Sequence, residues 1–254
     1  MCYGDDALPP APPVSGALGD HGEVYLLSAD GTEFTAYYAY PGVGRARSAV
    51  VVMPDVRGLH RFYQDLAERF ATVGLFAVAI DYYGRTTELG SPRSESFPFR
   101  QHADQLEPEQ VSQDVHAATA WLRADRDHDV ESVFTVGFCA GGALSWRESA
   151  GDHGLAGCVG FYGKPAKAVD RIGSMRAPLL LLAAGRDEGI PVDEVEQFAK
   201  QVQESGVDAE LHVYPDAPHS FFDRASDDYR NECDDAWRRV IGFIDRHSQV
   251  SLRG

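Results

Sequence analysis

The feature that most constrains this chain is the alternation, from Ser48 onward, of strand-sized apolar runs with segments of helical period. Residues 49–53, 76–80, 132–136, 158–162, 179–183 and 210–214 read as short strands, apolar enough to be covered on both faces. Between them Phe62, Leu66 and Phe70 recur at helical spacing, as do Val111, Val115, Ala118 and Leu122. The second of these helices is expected to open near Pro108, because proline suits a first helical turn. Residues 193–202 carry another apolar stripe, and Tyr229, Cys233, Trp237, Val240, Ile241 and Ile244 share a face near the end. Such a sequence predicts an α/β fold with a mostly parallel central sheet and helices on both faces. Ahead of it, residues 24–27 and 34–40 flank the turn signal Asp30-Gly31, which predicts an N-terminal β-hairpin at one sheet edge.

Residues 1–20 hold Pro9, Pro10, Pro12 and Pro13 and read as an irregular tail; residues 21–254 read as one domain. The polar stretch 85–107, with Pro92 and Pro98, separates a strand from a helix, and residues 86–107 are a candidate lid loop. No apolar run approaches membrane-span length, and the acidic start lacks the features of a secretory signal. The four cysteines form no paired framework, so they read as reduced thiols in a cytoplasmic protein. A net charge of −16, from 39 acidic and 23 basic residues, disfavours nucleic acid and anionic membranes as partners. The expected partner is a small molecule, and the expected state a monomer or small homo-oligomer. His60, His116 and His212 are scattered without metal-ligand spacing, and no nucleotide loop occurs, so neither metal nor cofactor is expected.

Gly137-Phe138-Cys139-Ala140-Gly141-Gly142 follows an apolar strand and precedes a helix. It is a G-x-S-x-G nucleophile elbow with cysteine in the serine position. The turn would hold Cys139 above a strand end at a helix N-terminus, where the helix dipole and free N–H groups favour a thiolate and an oxyanion. Downstream, Asp187 and His219 each fall just after a strand, giving the order nucleophile, acid, histidine of α/β-hydrolases. In that order His219 would be general base and then acid, and Asp187 would fix its tautomer. Cys158 and Cys233 lie on apolar strand and helix faces and read as packing.

Together Gly137–Gly142, Gly185-Arg186-Asp187 and His219-Ser220-Phe221 resemble the motifs of the dienelactone hydrolase family. Pro54-Asp55-Val56-Arg57-Gly58 and Asp81-Tyr82-Tyr83-Gly84-Arg85 resemble two more, and the likeness runs from about Val24 to Asp245. It implies an α/β-hydrolase fold and cleavage of an ester or lactone through a thioester, with an oxyanion hole formed by the N–H groups of Val56 and Ala140. It places Asp55 where the family has a glutamate that meets the resting thiol, and Arg85 at one of two arginines that hold a substrate carboxylate. Asp55 is one methylene shorter than that glutamate. The second arginine position holds Asp223, leaving Arg224 or Arg57 as substitutes, and Tyr83 as a further pocket residue. Those departures keep a neutral ester or lactone in view. A thioesterase or carboxylesterase acting on larger acyl groups is the alternative; a non-catalytic thiol-sensing or binding protein is a third reading.

Overall fold

The computed structural model describes residues 4–249. Eight strands form one sheet in the order β1-β2-β4-β3-β5-β6-β7-β8. They are β1 (Leu18–Leu27), β2 (Glu33–Pro41), β3 (Ser48–Met53), β4 (Phe76–Ile80), β5 (Ser132–Phe138), β6 (Gly157–Phe161), β7 (Leu179–Arg186) and β8 (Ala209–Pro218). The first two form the expected antiparallel hairpin, and β2 also runs antiparallel to β4. From β4 to β8 every pairing is parallel. The chain is therefore an α/β-hydrolase-type α/β fold.

Among the described residues six α-helices connect and cover the strands: α1 (Arg61–Thr72), α2 (Phe99–Ala103), α3 (Pro108–Ala124), α4 (Ala140–Glu148), α5 (Val192–Glu204) and α6 (Arg230–His247). The pleat of β3 sends Val50 and Val52 into one core with Phe62, Leu66 and Phe70 of α1 and Trp237, Val240 and Ile244 of α6. Ala49, Val51 and Met53 point the other way, onto Val111, Val115, Ala118 and Leu122 of α3. Farther along that second face, Trp146 of α4 packs with Val195, Phe198 and Val202 of α5. Leu66 is fully buried; truncating it to alanine would cost about 2–5 kcal/mol through lost transfer energy and the cavity left behind.

From Gly4 to Ala17 the described chain is irregular, and β1 begins at Leu18, inside the stretch expected to be tail. Its irregular part is nonetheless fixed. Pro9 and Pro12 are buried, and Trp237 Nε1 donates to the Pro10 carbonyl at 3.0 Å. His60 caps α1 by accepting the Phe62 N–H at Nδ1, which leaves Nε2 as the protonated nitrogen, 3.0 Å from Asp5 Oδ1. Asp5 Oδ1 also accepts the Glu95 N–H at 2.8 Å. One acidic side chain of the tail thus joins the start of α1 to the 85–107 stretch.

That stretch is not structureless. It contains α2 and is pinned by Arg93, whose guanidinium pairs with Asp81, donates to Thr87 Oγ1 and Ser91 O, and lies 4.5 Å from the centre of the Phe97 ring.

Candidate active site

The strand order reverses at β3: β4 lies on one side of it and β5 on the other. Loops leaving the carboxyl ends of strands that flank such a switch point diverge and open a crevice. The loop after β3 carries Asp55, Val56 and Arg57, and the turn after β5 carries Cys139. In the ladders Met53 is opposite Gly137, Phe138 opposite Phe161, and Arg186 opposite Pro218. Asp55, Cys139, Tyr162, Asp187 and His219 therefore all emerge from one edge of the sheet within a residue or two of aligned strand ends.

Cys139 is the N-cap of α4, with φ 54° and ψ −113°. Its N–H continues the sheet by donating to Phe161 O at 3.0 Å, while the residue is half-buried and packs against the core under α1 and α6. The turn closes only because its flanks lack side chains. A Cβ on Gly137 would overlap the Gly141 carbonyl, and one on Gly141 would overlap the carbonyls of Pro54 and Met53. α4 thus rests directly on the backbone of the β3 loop, which brings Ala140 and Val56, both half-buried, to the two sides of the crevice. The Ala140 N–H belongs to the first turn of α4, where amides have no partner within the helix.

His219 Nδ1 lies 2.5 Å from Asp187 Oδ2. The other Asp187 oxygen accepts the N–H groups of Gly189 and Ile190 at 2.9 and 3.1 Å. Burial alone would raise the Asp187 carboxyl, but the His219 hydrogen bond and these amides outweigh it and hold the group below its ordinary value. An ionised Asp187 fixes the proton on Nδ1 and leaves Nε2 free to accept one.

Among the described residues, the non-glycine positions with positive φ are Cys139, Tyr162 (37°) and Ser220 (62°). Each such conformation costs on the order of 1–3 kcal/mol and persists only where surrounding packing enforces it. All three sit at this edge. The Tyr162 ring lies 5.0 Å from the His219 ring, and its hydroxyl, raised chiefly by burial, senses the charges of Asp223, Cys139 and Asp55. Sequence reasoning passed over Tyr162; its place directly after β6, level with the other strand ends, is the signal that could have found it.

Asp55 is completely buried, and its Oδ1 accepts the Arg57 N–H at 2.9 Å, an Asx turn that shapes the loop. Tyr83 donates its hydroxyl to Val56 O at 2.5 Å, and Tyr82 donates to Asp55 O at 2.5 Å, so both tyrosines brace the loop from behind. Arg57 is buried, and its charge acts on His60 and Asp5, toward the N-terminal segment. Arg224 is exposed and lines a cleft of about 490 Å³ with Asp187, Pro218 and His219.

Arg85 stands apart from the substrate-holding role implied for it. Its guanidinium is committed to Asp114 through two hydrogen bonds of 2.8 and 2.9 Å, to Asp30 at 2.8 Å and to Ser28 at 3.1 Å. It ties the hairpin turn to α3, and Asp114 is wholly buried beneath it. Asp223, in the position where a cation was expected, is 2% exposed and faces Asp55, Ser220, His219 and Tyr162. Burial first, then the Asp55 charge, pushes its carboxyl up to about 7, against the pull of the Ser220 hydroxyl, His219 and Tyr162.

Cys158 and Cys233 are buried, and burial pushes each thiol up to about 12. Cys2 lies outside the described residues. The described residues that could gather as a trio on a cation are Asp208, just ahead of β8, Glu210 on β8 and His247 at the end of α6, away from the crevice. No helix among the described residues is long and apolar enough to cross a membrane.

The chain is similar to known proteins over most of its length. The family model for the dienelactone hydrolase family matches residues 34–248. A protein of Methylorubrum extorquens named "Putative carboxymethylenebutenolidase" is 28% identical over 229 residues, covering 86% of this chain and 78% of its own. The crystal structure of a dienelactone hydrolase homologue from Klebsiella pneumoniae superposes with a TM-score of 0.77 at 28% identity, over 92% of this chain and all of that one. The Pyrococcus furiosus esterase Pf2001 shares the fold at 16% identity, with a TM-score of 0.68 over 92% of this chain and 98% of its own. With its model matching nearly the whole sheet and every strand-end motif, the chain belongs to the dienelactone hydrolase family.

Proposed function

We propose that this hydrolase of esters or lactones works through a Cys139–His219–Asp187 triad and a thioester acyl-enzyme. The observation that carries the reading is the 2.5 Å contact of His219 with a buried Asp187, set on the same strand-end edge as a strained, half-buried Cys139. His219 Nε2 takes the thiol proton as Sγ attacks the carbonyl carbon. The tetrahedral oxyanion lies against the N–H groups of Ala140 and Val56. Collapse breaks the acyl C–O bond, and the leaving alkoxide takes the proton from His219. Water then attacks the thioester carbonyl while His219 removes its proton; the C–S bond breaks, the acid departs and the thiol is restored.

Asp55, on the β3 loop, is a thiol-associated acid in this scheme, and Tyr83 supports the Val56 carbonyl. The free thiols Cys139, Cys158 and Cys233 suit a reducing, cytoplasmic setting. The test is turnover of activated aryl esters. Cys139→Ala should lose turnover and fail to trap a thioester visible by mass spectrometry, while Cys158→Ala and Cys233→Ala keep the adduct. Retained turnover in Cys139→Ala would overturn the mechanism.

A further inference from the structure

Outside the triad, side chains of α3, α4 and the α4–β6 connection form a polar cluster. Glu148, the last residue of α4, is 2% exposed, and its Oε2 accepts from His153 Nε2 and from Ser112 Oγ, each at 2.8 Å. Ser112 Oγ also stands 3.0 Å from His153 Nε2. A carboxylate only accepts, so the ring proton of His153 sits on Nε2 and its Nδ1 keeps a lone pair. The ring is held sterically as well. A Cβ on Gly151 would lie 2.3 Å from His153 Nε2, so the imidazole fills the space that glycine leaves. Arg123 fixes the backbone beneath it by donating to His153 O at 2.7 Å.

That lone pair meets a second imidazole. His153 Nδ1 lies 3.3 Å from Nδ1 of His116, an exposed residue of α3, and the ring centres are 5.4 Å apart, so the two nitrogens face each other. The gap is long for a hydrogen bond from a ring N–H, which prefers about 2.9–3.0 Å. It matches two nitrogens bound about 2.0–2.1 Å from one tetrahedral ion, which stand about 3.3–3.4 Å from each other. The contact of Glu148 with the far nitrogen of His153 is also the outer-shell arrangement of metal sites, in which a carboxylate sets the tautomer and orientation of a ligating histidine. The two histidines are 37 residues apart in sequence, which is why no ligand spacing announces them.

We propose that His116 and His153 bind one divalent transition-metal ion, of the zinc, nickel or copper kind, through their Nδ1 atoms. Glu148 is the positioning residue, and water completes the coordination on the exposed side. Imidazole suits these ions, whereas magnesium and calcium favour oxygen ligands. The net charge of −16 raises the concentration of any cation near the surface. The bound ion ties α3 to the connection behind α4, the helix that carries Cys139 at its other end. Its effect is therefore on stability, and the triad keeps its own chemistry.

The test is calorimetric titration of the full chain with ZnCl₂ at pH 7.5. With two of the four ligands of a structural zinc site, the wild type should bind one ion here with a Kd on the order of 10 μM. His116→Ala, an exposed change that a helix tolerates, should remove that binding phase. Glu148→Gln keeps the side-chain shape and should weaken the phase about tenfold. Thermal unfolding gives a second readout: 1 mM ZnCl₂ should raise the Tm of the wild type by about 5 °C more than that of His116→Ala. An isotherm identical in His116→Ala and wild type would put the ion on Cys139 or on the Asp208, Glu210 and His247 group, and would overturn the proposal. Binding weaker than about 1 mM would do the same, marking a histidine pair joined by a shared proton only. So would an equal Tm shift with MgCl₂, the sign of a general salt effect.

Discussion

Arg93 and Asp81 form an ion pair with both side chains almost wholly out of solvent, tying the middle of the 85–107 stretch to the carboxyl end of β4. Asp81 also accepts the Tyr83 N–H at 3.2 Å, so the same carboxylate holds the segment that braces Val56. Burial still pushes the Asp81 carboxyl above its usual range despite the guanidinium beside it. The pair is therefore costly to break from one side.

Arg93→Ala should lower unfolding free energy by about 3–5 kcal/mol, since it strands a buried carboxylate. Arg93→Met combined with Asp81→Asn should recover part of that loss, because the desolvated charge is gone as well. Urea denaturation at pH 7.5 measures both. Limited proteolysis should cut Arg93→Ala within residues 85–107 much faster than the wild type. Equal cutting would mean that the segment is held by its other contacts.

Asp223 makes stability depend on pH in a direction opposite to most carboxylates. Its folded value of about 7 lies above the ordinary 3.8. Between those values the native state holds a proton that the unfolded chain has released, so stability falls as pH rises and levels off above about 7. The groups facing it are Asp55, Ser220, His219 and Tyr162, with Cys233 nearby on α6. Asp223→Asn removes the penalty. It should match the wild type near pH 4 and exceed it by roughly 3–4 kcal/mol at pH 8. A gap independent of pH, measured by denaturant unfolding, would show that Asp223 titrates like a surface acid.

The role given to Asp187 is tautomeric, and asparagine separates that from packing. Asp187→Asn keeps the shape and can still accept the Gly189 N–H, but it can present its NH₂ to His219 and reverse the ring's proton placement. Loss of kcat on the order of 10³-fold is expected with little change in KM. A variant losing only KM would place Asp187 in substrate binding.

Much of this arrangement is legible in the sequence because buried parallel strands must be continuously apolar and their carboxyl ends share an edge. The placement of Asp187 and His219 after strands follows from that, while the β-hairpin is announced by Asp30-Gly31 and the α3 start by Pro108. Strand ends are harder. β7 and β8 run on through Gly185 and Pro215 to Arg186 and Pro218, where a sequence reading stops at the turn-formers. β8 is the last strand of the sheet, and an edge strand tolerates prolines that an inner one cannot. Arg85 shows what local pattern omits. Its partners Asp30 and Asp114 lie 55 and 29 residues away in sequence, so nothing near Arg85 reveals that its charge is already used. Arg93 is hidden in the same way, inside a stretch whose polarity suggested only a loop.

Gly141 tests whether the elbow's geometry, rather than its nucleophile alone, sets the rate. A Cβ there meets the carbonyls of Met53 and Pro54, which belong to a central strand and its loop and cannot move without distorting the sheet. Relief must come from α4 shifting away, carrying the Ala140 N–H from the Val56 side of the crevice. Gly141→Ala should therefore lose stability by about 1–3 kcal/mol, as overpacking does. In the fraction that remains folded, kcat should fall on the order of 10²-fold, the scale of small misplacements at a reacting centre. Gly173→Ala, with open space around its Cβ position, is the matched control and should change neither. Equal kcat in Gly141→Ala and wild type, at protein concentrations corrected for the folded fraction, would mean that Cys139 works without the close approach of α4 to the β3 loop.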